Sequence, residues 1–484
     1  MEPERSIAVI GGGAAGWLAA ATLARVLPRE FCRVCLVESG SQTSGYSESV
    51  LPAFHRLNRL LGINERDLVA RTRGTFRLAA RFVDWGNPAS DYLHASGAIG
   101  AKLDAVPFHH YWLRLRQQGE GAALEEYSTA ALAARGNRFA MPGSQRTSFL
   151  SSYSYGYHFH SDLFAAYLQE YALAHGVMHL PASVVDVDAA NGFIAGLRLD
   201  DGSRLSADLY VDCAGPAGPV FARMFSAEYE DWSRWLACDS AVSILCAADE
   251  PLSACTDVIA ATHGWRWHTP LQKFSERGMV YSSGNMSDEA ALATLFNSGQ
   301  PEAVATPRTR RWKPGRPARF WEGNCLTLTG CGLEPLESTR LHLVQTGVAR
   351  LLTLFPVCAP GRYGWDDRDD RDEYNRLAVA ECEGIRDFLI LHYRTAADIP
   401  DSLQSRIELF RHSGRIELSD DEHFGAESWL AVLLGQGVIP QDYDPLADVL
   451  AIEEVRAALA RMRSMVADGV AGMPTLTQFM GGWQ

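Results

Sequence analysis

Residues Ser6 to Gly16 read Ser-Ile-Ala-Val-Ile-Gly-Gly-Gly-Ala-Ala-Gly, a short β-branched run that stops at three glycines and passes at once into a helical pattern reaching about Val26. Strand, tight turn and helix in that order form the first half of a βαβ unit that holds the pyrophosphate of a dinucleotide. Gly11 makes the turn, Gly13 lets the backbone approach the phosphates, and Gly16 lets helix and strand pack closely. Ala14 and Ala15 lie in the first helical turn, whose N–H groups face the negative charge. A second strand, Val34 to Val37, ends in Glu38, 22 residues beyond Gly16. An acid there suits a ribose hydroxyl pair and repels a 2′-phosphate, which favours FAD or NAD over NADP.

With 484 residues the chain can bury a large core as one big domain with an appended lobe, or as two domains. Its 44 basic and 58 acidic residues give a net charge of -14, which argues against a nucleic-acid or anionic-membrane surface. The basic run Arg308, Arg310, Arg311, Lys313, Arg316 lies among Pro307, Pro314 and Pro317 and reads as a solvated connection. No basic-apolar-small leader pattern is present, and no apolar run approaches the roughly 20 residues that span a bilayer, so the expected compartment is the cytoplasm. The ten cysteines are scattered. The CxxC of Cys32 and Cys35 has no second pair and no nearby histidine, so these read as buried thiols and no metal is expected.

Alternating apolar residues at Val184 to Val187, Ile194 to Leu199 and Leu209 to Cys213, separated by Asn191-Gly192 and Asp201-Gly202, predict a meander of short strands. Ser161 to His175 has helical spacing and is expected to pack on the sheet. Arg368 to Ile390 and Glu453 to Met465 read as helices. No second Gly-rich turn follows a strand, so one dinucleotide is bound. The expected architecture is α/β, a Rossmann-type βαβ unit plus a mixed sheet in residues 1–385, with a mainly helical lobe in 386–484 over the substrate site.

Two segments carry a family resemblance. His263-Gly-Trp-Arg-Trp-His-Thr-Pro-Leu271 resembles the Trp-x-Trp-x-Ile-Pro signature of the flavin-dependent tryptophan halogenases, with Thr269 at the isoleucine position, and Leu333-Glu-Pro-Leu-Glu-Ser-Thr-Arg340 resembles their Leu-Glu-Pro-Leu-Glu-Ser-Thr segment. Gly74 to Trp85, Tyr155 to Phe159, Ile399 to Leu403 and Gly435 to Pro440 are similar to further family segments. The resemblance implies an FAD-binding, flavoprotein-monooxygenase-like fold. It also implies that reduced FAD, supplied by a separate flavin reductase, reacts with O₂, that chloride or bromide becomes hypohalous acid, and that this oxidant reaches a small aromatic or peptide-borne substrate. A homodimer is implied as well.

Roles follow by position. Glu337, with Ser338 beside it, matches the carboxylate that stabilises the cationic ring and helps remove its proton. Thr339 and Arg340 match the halide site, Trp265 and Trp267 the screen between flavin and substrate, and Ser47 the stretch Tyr46 to Pro52 that keeps an acid, Glu48, but loses a flexible glycine. The departure with most consequence is Arg77, which stands where the family has a lysine. Only Lys102, Lys273 and Lys313 exist in the chain, none in a matching segment. A guanidinium with a pKa above about 12 can donate hydrogen bonds to an oxidant but offers no amine for a haloamine. Halogenation is the first expectation, because Glu337, the paired tryptophans and the FAD scaffold remain. A flavin-dependent monooxygenase oxidising an aromatic substrate is the second, and a flavin-binding protein with little turnover the third.

Overall fold

The structure is a computed structural model that describes residues 5–38, 45–86, 90–143, 149–297, 302–355, 368–393, 398–419 and 422–483. The stretch between Tyr393 and Ile399, which reads as shorter than in tryptophan halogenases, lies mostly outside the described residues.

Apolar runs without alternation are buried on both faces and favour a parallel sheet covered by helices. Such a sheet forms here from Arg5–Ile10, flanked by Cys32–Val37 on one side and Leu209–Asp212 on the other, all parallel, with Met178–Leu180 and Cys325–Thr327 outside them and Trp321–Glu322 as an antiparallel edge. The helix Gly13–Val26 covers one face, and Ser161–Ala174 packs on that helix more than on the sheet. Leu209–Asp212 therefore leaves the expected meander. Only Val184–Ala190, Phe193–Leu199 and Arg204–Leu205 form the antiparallel hairpin sheet, because the following strand is apolar on both faces and all four of its residues are buried.

A second sheet of seven strands runs in the order Arg308–Arg311, Ser240–Ala247, Phe274–Tyr281, Gly264–Pro270, Cys255–Ala261, Ala79–Val83, Asp91–Ala95. The part of the basic run from Arg308 to Arg311, expected to be a solvated connection, is instead its edge strand, in register with Ser240 to Ser243, while Lys313 is exposed beyond it. Alternation of Arg308 and Arg310 with Thr309 and Arg311 lets one face serve the interior, where charge alone suggested solvent. Arg316 is buried too, paired with Glu230 at 2.7 Å and Glu383 at 2.5 Å.

A small sheet of Ser47–Val50, Gly156–His160 and Thr75–Arg77 bridges the two large ones. The chain steps from Arg77 through Leu78, whose N–H donates to the Ala254 carbonyl, into Ala79–Val83. Residue 385 lies inside the continuous helix Arg368–Tyr393. One apolar core takes in Ile7 and Leu18, Phe388 of that helix, and Trp429 and Leu476 of the helices beyond it. Cys32 and Cys35 are buried, and burial pushes their thiols up to about 12 and about 11.

Candidate active site

The nucleotide end forms at the carboxyl ends of the parallel strands. Gly11 has φ of +95°, and a Cβ there would lie 2.7 Å from the Ala214 nitrogen; a Cβ on Gly16 would lie 1.8 Å from the Gly11 carbonyl oxygen. Only glycine permits that strand, turn and helix to close on one another. Gly13 faces open space, while Ala14 and Ala15 bury their methyl groups beneath the first helical turn. Glu38 accepts from the Trp17 indole N–H at 3.1 Å, and its other oxygen is buried over Gly12 without a hydrogen-bond partner. An orphaned carboxylate oxygen beside an open glycine turn fits the hydroxyl pair of a ribose. These residues fit the adenosine half of FAD.

Ser47, Glu48, Trp265, Trp267, Ser338 and Arg340, from four separate elements, line one cleft. Trp265 and Trp267 alternate on Gly264–Pro270 and share a face, their ring centroids 5.8 Å apart. Gly278, directly opposite Trp267 in the next strand, leaves a slot for its ring, since a Cβ there would sit 2.1 Å from ring carbons. Ser47 donates its N–H and hydroxyl to Glu276. Arg340 reaches across and pairs with Glu48, tying the segment before Val50 to the helix Arg340–Thr353.

Ser338 holds a left-handed backbone at φ of +57°, a strained geometry for a residue with a Cβ that costs about 1 kcal/mol or more. The turn leaves Ser338 on the cleft and sends Glu337 away from it. The Glu337 carboxylate is fully buried and is not among the groups lining the cleft. His94 Nδ1 lies 2.9 Å and His392 Nε2 3.0 Å from its Oε1, and the Arg77 guanidinium lies 4.0 Å from Oε2. Tyr92 sits 3.1 Å from His392 Nδ1 and accepts from Gln436 at 2.9 Å, so its hydroxyl proton goes to Nδ1 and the ring proton to Nε2, which lies near Glu337 without hydrogen-bond geometry. Burial alone would raise the Glu337 carboxyl; His94 and His392 outweigh it and hold the group well below the usual carboxylate range. Burial lowers His392 despite its acidic neighbour. Oε2 of Glu337 and Nε of Arg77 are buried without hydrogen-bond partners. Arg77, 3% exposed, is an interior residue and not a surface arginine.

Trp265 has its own support. Trp265 donates to Tyr393 at 2.9 Å, Tyr393 donates to Glu334 at 2.5 Å, and burial pushes the Glu334 carboxyl up to about 7. Thr339 begins the helix Arg340–Thr353 with its hydroxyl buried and unpartnered, behind the cleft wall that Arg340 forms. Expected residues thus separate into two groups. Ser47, Trp265, Trp267, Ser338 and Arg340 share the cleft, and Glu337 and Arg77 face one another behind it. His94, His392 and Glu334 escaped sequence reasoning. Glu334 stands inside the Leu333–Arg340 segment, and His94 lies on the strand paired with Ala79–Val83, but nothing local marks His392 on a distant helix.

The model of the tryptophan halogenase family matches residues 6–452. The chain belongs to the tryptophan halogenase family. It is 28% identical to tryptophan 6-halogenase SttH of Streptomyces toxytricini, with 95% of each chain covered. Among solved structures it resembles BrvH, a flavin-dependent halogenase from Brevundimonas sp. BAL3, at 34% identity and a TM-score of 0.91 over 99% of both chains. A flavin-dependent halogenase from Xanthomonas campestris matches at 35% identity and a TM-score of 0.91, covering 99% of this chain and 98% of that one. This family member is accordingly an oxidoreductase with the FAD-binding halogenase fold, and among the described residues no helix is long and apolar enough to cross a membrane.

Proposed function

We propose that this enzyme binds FAD with its adenosine on Gly11, Gly13, Ala14, Ala15, Gly16 and Glu38 and its ring in the cleft, and halogenates an aromatic substrate through hypohalous acid. Flavin that arrives already reduced from a separate reductase in the cytoplasm would, when bound, supply the oxidising power of O₂ toward chloride or bromide. The substrate is indole-like, tryptophan-like or carried on a peptide, and a second copy of the chain is the other proposed partner. The cleft side of Ser338, with the N–H groups of Thr339 and Arg340, takes the halide. Trp265 and Trp267 form the wall that keeps water and substrate from the flavin. The helical part from residue 386 onward covers the substrate side.

The observation that carries this reading is the carboxylate behind the wall. Glu337 is a buried anion, and its Oε2, which faces Arg77 at 4.0 Å but accepts no hydrogen bond, is the oxygen left for a cationic ring. So acidic a carboxylate is a weak base toward the resting substrate, but the cationic intermediate is itself a strong acid. Glu337 can receive its proton and become neutral, since the ring loses its positive charge in the same step. Arg77 orients hypohalous acid by hydrogen bonds from its fork of donors; halogen delivery through a lysine-like haloamine is not part of this chain's chemistry. Incubation with a flavin reductase, NADH, O₂, bromide and indole tests the function. The expected product carries the paired masses of bromine. A gain of one oxygen alone would move the enzyme to the monooxygenase reading that Arg77 leaves in view.

A further inference from the structure

Behind the cleft wall lies a buried acid that the proposed chemistry does not use. Glu334 accepts from the Tyr393 hydroxyl at 2.5 Å with an oxygen that also lies 3.5 Å from the Trp265 indole nitrogen, and its other oxygen is buried without a partner. Among the described residues no cation offsets it; burial pushes the carboxyl up, and only the bonds from Tyr393 and Trp265 oppose that. Tyr393 accepts from the Trp265 indole N–H at 2.9 Å, and burial, with Glu334 beside it, holds its phenol well above the usual range. The phenol therefore keeps its proton for as long as it keeps its electrons. On the other side of Trp265 the Trp267 ring, 5.8 Å away, lines the cleft. Trp85 lies 6.4 Å from Trp265 and 5.4 Å from Tyr393. Three indoles and a phenol, all readily oxidised rings, thus make a continuous file from the cleft to a proton acceptor.

We propose that Trp267, Trp265 and Tyr393 form a relay that carries a stray one-electron oxidation out of the cleft and ends it on Tyr393, with Glu334 taking the phenolic proton. The inference rests on the reading that the cleft takes the flavin ring, and its one-electron oxidant is oxidised flavin excited by light. The excited ring takes an electron from Trp267 and becomes the flavin radical anion. Trp265 refills Trp267, and Tyr393 gives an electron to Trp265 and its hydroxyl proton to Glu334. The products are one flavin radical anion, one neutral tyrosyl radical and one neutral carboxyl group, so electrons, protons and charge balance. Electrostatics favours the last step, because a buried indole radical cation and a buried carboxylate are replaced by two neutral groups. Tyr46, between the cleft residues Gly45 and Ser47, donates its hydroxyl to the Thr306 carbonyl, which cannot take the proton. The relay spares the wall tryptophans, whose rings would otherwise hold the oxidation until O₂ attacked them.

The test is illumination of the full chain loaded with oxidised FAD, with ferricyanide present to take the electron from the flavin radical. Frozen samples are read by electron paramagnetic resonance, ring-deuterated tyrosine assigns the signal, and FAD uptake is measured alongside. A tyrosyl signal is expected in the unaltered chain and in Tyr46→Phe. Tyr393→Phe and Glu334→Gln should each lower its yield at least about tenfold and leave a tryptophan radical in its place. Glu334→Gln retains the phenol and the side-chain volume, so it tests the transfer even where Tyr393→Phe does not fold. A tyrosyl yield undiminished in either variant overturns the proposal, as does an unaltered chain that binds FAD and shows tryptophan radical alone; both results leave the cleft as the flavin site. A chain that takes up no FAD removes the cleft reading, and the relay with it.

Discussion

Glu337 takes its character from three neighbours, and each can be altered separately. His392→Asn removes the imidazole that lies 3.0 Å from the carboxylate. The carboxyl then rises toward ordinary values, and the acid limb of the pH profile of kcat, which lies below about pH 4 in the parent, should move up into the range read from rates across pH 3 to 7. Stability follows the same linkage. Because the folded carboxyl lies below its unfolded value of about 4.3, its contribution is present above that pH and is lost as pH falls beneath it. Glu334 has the opposite sign. Its folded value of about 7 lies above the unfolded one, so stability declines as pH rises from about 4.3 to 7, by on the order of 3 kcal/mol. Glu334→Gln should therefore be more stabilised relative to the parent at pH 8 than at pH 5, measured by urea unfolding at both. Arg77→Lys supplies the amine that the guanidinium cannot, and the initial rate of bromination is expected to rise; an unchanged rate would give Arg77 a different job. At this scale Glu337, Arg77 and the tryptophans were legible because each stands in a short segment with its own pattern. His94 and His392 were not, since their meaning exists only where a strand edge and a helix more than two hundred residues later converge on one carboxylate.

Elements set the wall. Gly278 and Trp267 face each other across two antiparallel strands, so Gly278→Ala pushes a methyl group into the indole ring and should cost about 1–3 kcal/mol in urea unfolding. The same variant should leak oxygenated product beside the halogenated one, because the screen no longer fits its slot. A product mixture identical to the parent's would remove Trp267 from the partition. The glycine turn, its helix and the second strand could be read from sequence because a 2-residue and a 3.6-residue period meet at three glycines. Two elements resisted for one physical reason. Leu209–Asp212 and Arg308–Arg311 take their places from distant sheets, the first recruited into the parallel layer by its two apolar faces and the second into an edge where alternate arginines turn inward.

Across the whole molecule, one apolar core joins the nucleotide layer, the seven-stranded sheet and the C-terminal helices. The helix Ala426–Gly435 packs on Asp91–Ala95, the strand that carries His94, and Arg368–Tyr393 brings His392 to the same carboxylate. The site is therefore a product of the complete fold. Fold class, cofactor type and family were legible from four or five segments, whereas the closing of the site by helices from the far end of the chain depended on packing that no local pattern announces. The central claim is that halogen transfer depends on the Glu337 carboxylate behind the tryptophan wall. The most direct measurement is the bromination rate of Glu337→Gln at saturating reduced FAD, with flavin occupancy determined on the same sample. Undiminished occupancy and a rate lower by at least about 10²-fold are expected; bromination at the parent rate with full occupancy would show that the carboxylate has no part in halogen transfer.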